Sequence, residues 1–373
     1  MIYREYGKTG KKVSLLGFGA MRFEDPDNRD LCVEMVVEAA KLGINYFDTA
    51  PAYFGTKSEE IIGQGFKELK RLGLPFYSAT KTFKSESSKI RAEIDSQLKR
   101  LNLETIDFYH IWCVTSLKNW RERKKNGVIE AFVKLKEERL IRHICVSSHL
   151  INDEIKEILA AGVIEGVLLG YSAYNFSMRQ AAIDLIAGQG LGCTVMNPLG
   201  GGIIPQNPAI FNFIKTRKSE SLVEAALHFL FAHHQINTSL VGFSELKEIK
   251  EAVQAVENYI EIPKSEIERI KEGISESFND ICTGCQYCDN CPAGIPISRF
   301  LDSYNHKIFY NDNKMIERVK YHWELNPEQA AECTACGECE DVCTQHLPII
   351  KREMGIPAGQ LSQYWQPVQI SLK

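Results

Sequence analysis

The sequence predicts an α/β fold, a (β/α)8 or TIM barrel, followed by a small, mainly α-helical second domain. Two observations carry that expectation. Eight short apolar runs alternate with amphipathic stretches over about 245 residues, the count and length of a closed barrel of strand–helix units. Eight of the twelve cysteines then fall between Cys282 and Cys343 in two compact runs, which marks a separate module. A third observation weakens the main rival. No Gly-x-Gly-x-x-Gly turn follows the first strand, as a doubly wound dinucleotide-binding sheet would require.

The elements follow in order. Residues 3–13 read as a hairpin turning at Gly7-Lys-Thr-Gly10. The strand-like runs are Val13–Phe18, Tyr46–Asp48, Phe76–Thr80, Ile106–Trp112, His143–Ser147, Gly166–Gly170, Cys193–Met196 and Ser239–Gly242. The helical stretches include Leu31–Leu42, Glu59–Leu72, Lys89–Leu101, Ile129–Glu138, Asp153–Ala161, Arg179–Ala187, Leu222–His233 and Glu245–Val256. The segment Thr115–Gly127, with its charged Arg121–Lys125, reads as a long loop, either a cover for the site or a solvated surface. Residues 1–260 are thus assigned to the barrel. Residues 261–351 form the second domain, entered through a charged helical connector. Residues 352–373, with Tyr364 and Trp365, form a tail packing on the body.

Composition narrows the function. With 44% hydrophobic and 25% charged residues the chain has ordinary globular content, and a net charge of −4 argues against a nucleic-acid partner. The N-terminus Met1-Ile-Tyr-Arg-Glu-Tyr has no apolar core of leader length, and no run of about 18 apolar residues suggests a membrane span. The expectation is a cytoplasmic protein.

The cysteine runs are Cys282-Thr-Gly-Cys285-Gln-Tyr-Cys288-Asp-Asn-Cys291 and, after 41 residues, Cys333-Thr-Ala-Cys336-Gly-Glu-Cys339-Glu-Asp-Val-Cys343. Three cysteines at two-residue gaps with a fourth behind them is the spacing that wraps thiolates around a [4Fe–4S] cube. Structural zinc takes separated pairs, and disulfides need an oxidising compartment. In two-cluster ferredoxins the fourth cysteine serves the other cube. By that rule Cys282, Cys285, Cys288 and Cys343 hold one cluster, and Cys333, Cys336, Cys339 and Cys291 the other. The short Cys288–Cys291 gap and Thr344 in place of a following proline depart from the usual run. The intervening Ile297–Lys307 and Lys314–Leu325 read as helices, so the module resembles the helical, ferredoxin-like modules of respiratory dehydrogenases.

Barrel chemistry gathers at the C-terminal strand ends. Asp48 ends the second run and Lys81 the third, an acid and a base able to pair inside the mouth. A tyrosine beside that lysine would have its pKa lowered from about 10 and could pass a proton to a carbonyl oxygen. Asp48-Thr-Ala-x-x-Tyr53, the Ser58-Glu59-Glu60-x-x-Gly63 run, Lys81 and Asn197-Pro-Leu-Gly-Gly-Gly202 resemble the aldo-keto reductase family from about Tyr3 to Val256. The resemblance implies carbonyl reduction with NADPH or NADH, Tyr53 as proton donor, Lys81 tuning it and Asp48 anchoring the lysine. The family's fourth catalytic residue, a histidine, aligns with Trp112, while His110 lies one inward step deeper. Either a register shift brings His110 to the substrate, or Trp112 replaces it and His110 is a buried, hydrogen-bonded barrel residue. We favour replacement, which makes oxidation, or reduction of another unsaturated group, more plausible.

The resemblance also implies a cofactor site of Ser147, Ser148, Tyr171, Met196, Pro198, Leu199, Gly200, Gly242 and Ser244. Met196 offers no ring for stacking on nicotinamide, and Glu248 puts a negative charge where NADP-specific members carry basic groups. Ser244 reads equally as a helix N-cap. The expected cofactors are two [4Fe–4S] clusters and a nicotinamide dinucleotide. The expected partners are a small carbonyl or alcohol substrate and a ferredoxin-like electron carrier. Two other readings stand beside this one: an ordinary reductase with structural clusters, and a non-catalytic redox-sensing barrel.

Overall fold

The structure is a computed structural model, describing residues 1–150, 152–176, 179–273, 281–282, 284, 286–310, 317–323 and 325–353. An antiparallel hairpin of β1 (Tyr3–Glu5) and β2 (Lys12–Ser14) opens the chain. Eight parallel strands then close a barrel: β3 (Leu16–Gly19), β4 (Tyr46–Asp48), β5 (Tyr77–Thr82), β6 (Ile106–Val114), β7 (Ile141–Ser148), β8 (Gly166–Gly170), β9 (Gly192–Met196) and β10 (Thr238–Gly242). They pair in chain order, with β10 closing on β3. The predicted barrel is thus present.

The helices around it are α1 (Arg29–Lys41), α2 (Lys57–Leu72), α3 (Ser87–Leu101), α4 (Leu117–Lys125), α5 (Val128–Glu137), α6 (Ile155–Leu159), α7 (Gln180–Gly188), α8 (Ile203–Gln206), α9 (Pro208–Phe211), α10 (Leu222–Phe231) and α11 (Leu246–Glu257). Their apolar stripes face the strands, as in α3, which buries Ile90, Ile94 and Leu101. Gly63 lets α2 touch α3, since a Cβ there would lie 1.9 Å from the Arg100 carbonyl. The expected loop at 115–127 is instead helix α4, capped by the Ser116 side chain. Its run of charges hides Trp120 and Arg123, both buried.

Tyr6, just after β1, closes the N-terminal end of the barrel. Its ring is fully buried and packs with Tyr46 and Phe108, at centroid distances of 6.0 and 4.6 Å. Gly166 and Gly192 make the space: a Cβ at Gly192 would lie 2.1 Å from the Tyr6 ring, and one at Gly166 2.5 Å from its hydroxyl. That hydroxyl pairs with the Thr194 hydroxyl at 3.0 Å.

The chain divides into two compact units, Met1–Leu199 with Ile214–Ile267, and Gly200–Phe213 with the described residues from Glu268 onward. The boundary expected at 260 therefore moves, and a segment expected in the barrel groups with the second unit. The cause is packing: Phe211 meets Phe309 edge-on at 6.2 Å, and Arg269 donates to the Phe213 carbonyl at 3.0 Å. Helix α12 (Lys264–Glu272) runs across the division at Ile267, and α13 (Ile297–Tyr310) lies in the second unit. Asp289 caps α13 through the amide and hydroxyl of Ser298. Of the expected helix 314–325, Arg318–His322 is wide-turn helix; 314–316 and 324 lie outside the described residues, as does the tail from 354. The core joins Ile297, Phe300, Leu301 and Ile349 to Cys282, Cys288 and Cys343.

Candidate active site and cysteine centre

Asp48 and Lys81 sit at the C-terminal ends of β4 and β5, and both are buried. Lys81 Nζ donates to Asp48 Oδ1 at 2.5 Å and to the Thr49 carbonyl at 2.8 Å. Burial pushes the aspartate pKa up and the lysine pKa down, and each partner's charge opposes the other's shift. Tyr53 lies in the turn after β4, held by its amide on the Ala50 carbonyl at 3.1 Å. Lys81 Nζ is 5.6 Å from its ring centroid. The structure thus gathers Asp48, Lys81 and Tyr53.

Trp112 joins them. Its ring stands edge-on to Tyr53 at 5.7 Å and stacks on Phe83 at 3.8 Å. His110 sits deeper, paired in register with Lys81 and fully buried. Among the described residues its ring nitrogens make no close hydrogen bond, and only the Val146 backbone lies near enough to act on it as a hydrogen-bonding group. Burial, then the Lys81 charge, push its pKa well below the imidazole range, with the Val146 backbone offsetting little. The strand is also not regular. Ile111 pairs with Val146 but Val114 with Ser148, so β6 carries one extra residue. Cys113 takes it up in the left-handed region at φ 56°.

Behind the lysine lies a network that sequence reading missed. Gln97 of α3 donates to the Lys81 carbonyl at 2.8 Å and to Glu59 at 3.0 Å, and accepts from Tyr109 at 2.8 Å. Glu59 accepts from Thr80 at 2.7 Å and pairs with Arg100 at 2.6 Å. One signal was present: Gln97 is a polar residue inside the apolar stripe Ile90, Ile94, Leu101.

The expected cofactor residues divide. Ser147 Oγ, at the end of β7, is buried without a partner among the described residues, a polar group left for a ligand. Ser148 is turned back and accepts from the Leu150 amide at 3.2 Å. Met196 packs on the barrel interior. Pro198 and Gly200 are buried and Leu199 half-buried, the turn made by left-handed glycines at 200, 201 and 202. Tyr171 is a correction. It falls just past β8, where strand alternation no longer governs. Its ring meets Phe229 and His233 of the α10 region, and its hydroxyl donates to Gln180 at 2.6 Å. Gly242 leaves room for Arg22, whose Cγ would lie 2.5 Å from a Cβ there. Ser244 is not the N-cap; Glu245 is. The Ser244 amide and hydroxyl both donate to Glu248, at 2.7 and 2.9 Å, so a carboxylate takes the donors at this helix start.

The two cysteine runs share one backbone form. Gly284 and Gln286 in the first, and Ala335 and Gly337 in the second, all have φ between 54° and 85°. The Gly284 amide donates to Cys282 Sγ and the Ala335 amide to Cys333 Sγ, each at 3.4 Å, and the Leu347 amide to Cys343 Sγ at 3.3 Å. Such concave loops of amides suit an anionic thiolate cluster. Cys288, Cys291, Cys333, Cys336 and Cys339 line one cavity of about 120 Å³, walled by Ile295, Ile297 and Val342. Cys285 lies outside the described residues. Among the described residues no three His, Cys, Asp or Glu side chains converge as a single metal ion requires.

Barrel, buried acid–base pair and mouth tyrosine together define an oxidoreductase of the (β/α)8 class. The chain belongs to the aldo/keto reductase family, whose model matches residues 15–274, and residues 281–348 match a 4Fe-4S dicluster domain. It is 30% identical to L-galactose dehydrogenase of Arabidopsis thaliana over 281 residues, 68% of this chain and 87% of that one. It is 26% identical to the NADH-specific methylglyoxal reductase of Escherichia coli over 200 residues, 48% of this chain and 59% of that one. The holo form of aldo-keto reductase AKR11C1 from Bacillus halodurans superposes with a TM-score of 0.63 at 25% identity, covering 74% of this chain and 98% of that one.

Proposed function

We propose that the barrel mouth interconverts a small carbonyl compound and its alcohol, with Tyr53 as the proton-transferring group, and that NADH rather than NADPH serves it. The observation that carries the reading is the Lys81 ammonium, fixed by Asp48 at 2.5 Å and lying 5.6 Å from the Tyr53 ring centroid. A cation so placed favours the phenolate and lets the phenol give up or regain its proton near neutral pH. Bound beside Ser147, a nicotinamide would supply or accept the hydride. The orphan hydroxyl of Ser147 fits its carboxamide, while Glu248 holds the donors a 2′-phosphate would need. His110, neutral and one step below Trp112, stays in reserve as a hydrogen-bonding group. Tyr53→Phe should lower turnover about 10²- to 10⁴-fold, with substrate binding kept; full activity would overturn the assignment.

The cysteine module is read as two [4Fe–4S] sites with crossed ligands. The cavity that brings Cys291 to Cys333, Cys336 and Cys339 supports the second set, with Cys288 of the first set at its wall. Cys282, Cys288 and Cys343 lie in the core of their unit, which favours a structural share for the first. Anaerobic protein should carry about eight irons. Bleaching of the cluster absorbance on adding NADH would join barrel and clusters in one electron path, ending on a ferredoxin-like carrier. No response would leave the clusters structural.

A further inference from the structure

Two cations behind the barrel mouth are met by carboxylates. Lys81 lies 2.5 Å from Asp48 and Arg100 2.6 Å from Glu59. Arg123 of α4 breaks the pattern. It is only 9% exposed, yet its single hydrogen bond runs from Nη1 to the Trp112 carbonyl at 2.5 Å, and no carboxylate pairs with it among the described residues. The ionisable side chain that acts on it is the Cys113 thiol, not a carboxylate. A buried guanidinium left without a counter-charge is costly, and a bound anion would offset that cost.

The place of this charge says what the anion belongs to. Arg123 holds the carbonyl of the residue whose ring meets Tyr53 and stacks on Phe83. It follows β6, on the arc of the mouth that carries Asp48, Lys81 and Trp112, whereas the expected cofactor residues follow β7, β9 and β10. With Nη1 engaged, the Nε–Nη2 edge of the fork remains. That edge matches the two oxygens of a carboxylate side-on.

We propose that Arg123 is a substrate-binding residue that grips the carboxylate of a carbonyl substrate lying against the Phe83–Trp112 wall. The inference rests on the reading of this mouth as the reaction site, and it names the substrate class: anionic, carboxylate-bearing carbonyl compounds.

The test reads binding, not turnover, so an inactive mouth and a wrong anion site are told apart. Binding of 4-fluorobenzoate and 4-fluorobenzamide to the full-length, cluster-loaded protein is followed by fluorine NMR. The carboxylate should bind at least about tenfold tighter than the amide. Arg123→Met should abolish that preference while leaving the amide unchanged, Arg123→Lys should keep part of it, and Tyr53→Phe should keep all of it. Equal binding of the two probes to the wild type, or a preference that survives in Arg123→Met, overturns the proposal. Displacement by inorganic phosphate but not by acetate overturns the carboxylate class. If Arg123→Met does not fold, the wild-type preference and its partial retention in Arg123→Lys decide.

Discussion

Replacing Asp48 by asparagine removes a charge and little else. The amide oxygen can still accept from Lys81 Nζ, as can the Thr49 carbonyl at 2.8 Å. The ammonium then stands buried and uncompensated, with side-chain exposures of 1% for Lys81 and 4% for its partner. Breaking one side of such a pair costs about 3–5 kcal/mol. The ceiling is set by deprotonation: a lysine of ordinary pKa gives up its proton at pH 7 for about 4.6 kcal/mol. For a domain of this size the loss corresponds to roughly 10 °C in melting temperature. The sign of the pH dependence is the sharper test. Burial already pulls the Lys81 pKa down, and only Asp48 and, more weakly, Glu59 oppose it. Without Asp48 the folded-state pKa drops further below the unfolded one, so between them the unfolded chain binds the extra proton. Stability of Asp48→Asn should therefore climb relative to the wild type as pH rises toward the unfolded lysine pKa, by at most about 1.4 kcal/mol per pH unit. Thermal unfolding of the cluster-loaded chain at three pH values measures this. A loss under about 1 kcal/mol with no relative slope would show that the pair is not held in a low-dielectric site.

Three further outcomes follow from other contacts. Burial alone would raise the Glu220 carboxyl, but His228 and the Thr216 and Arg217 amides hold it down at about 2. Glu220→Gln should cost roughly 3 kcal/mol at pH 7, with the difference from wild type fading below pH 4 as the carboxylate titrates; denaturation at pH 7 and pH 3 gives both numbers. If Cys291 and Cys333 serve one cluster, the double Cys291→Ala, Cys333→Ala variant retains about four irons by metal analysis, whereas uncrossed ligands would leave almost none. Glu248→Arg should raise NADPH affinity about tenfold by freeing the Ser244 donors and adding a guanidinium, read by nucleotide titration.

The barrel was legible because its strands are short apolar runs with polar, helix-forming stretches between them. Asp48 and Lys81 were legible because they end two such runs. What escaped was governed by contacts that no local pattern records. The extra residue in β6 sits at Cys113, and nothing in a cysteine announces a left-handed backbone. Trp120 and Arg123 were lost in a charged segment whose helix buries one narrow face. Tyr171 lies one residue beyond its strand, where alternation stops predicting direction. Residues 200–213 follow a barrel strand in sequence yet group with the second unit, where Phe211 meets Phe309. Gln97, by contrast, was readable as a polar interruption of an apolar stripe.

The tyrosine that fills the foot of the barrel has a kinetic corollary. With Tyr6 wedged against Gly166 and Gly192 and the interior packed with side chains, the mouth is the open end. Reactant and product must then share one doorway, and neither can leave by the far end while the other enters. Such a vessel exchanges its contents in turn. Departure of the spent molecule gates admission of the next, and lingering product should compete head-on with fresh substrate.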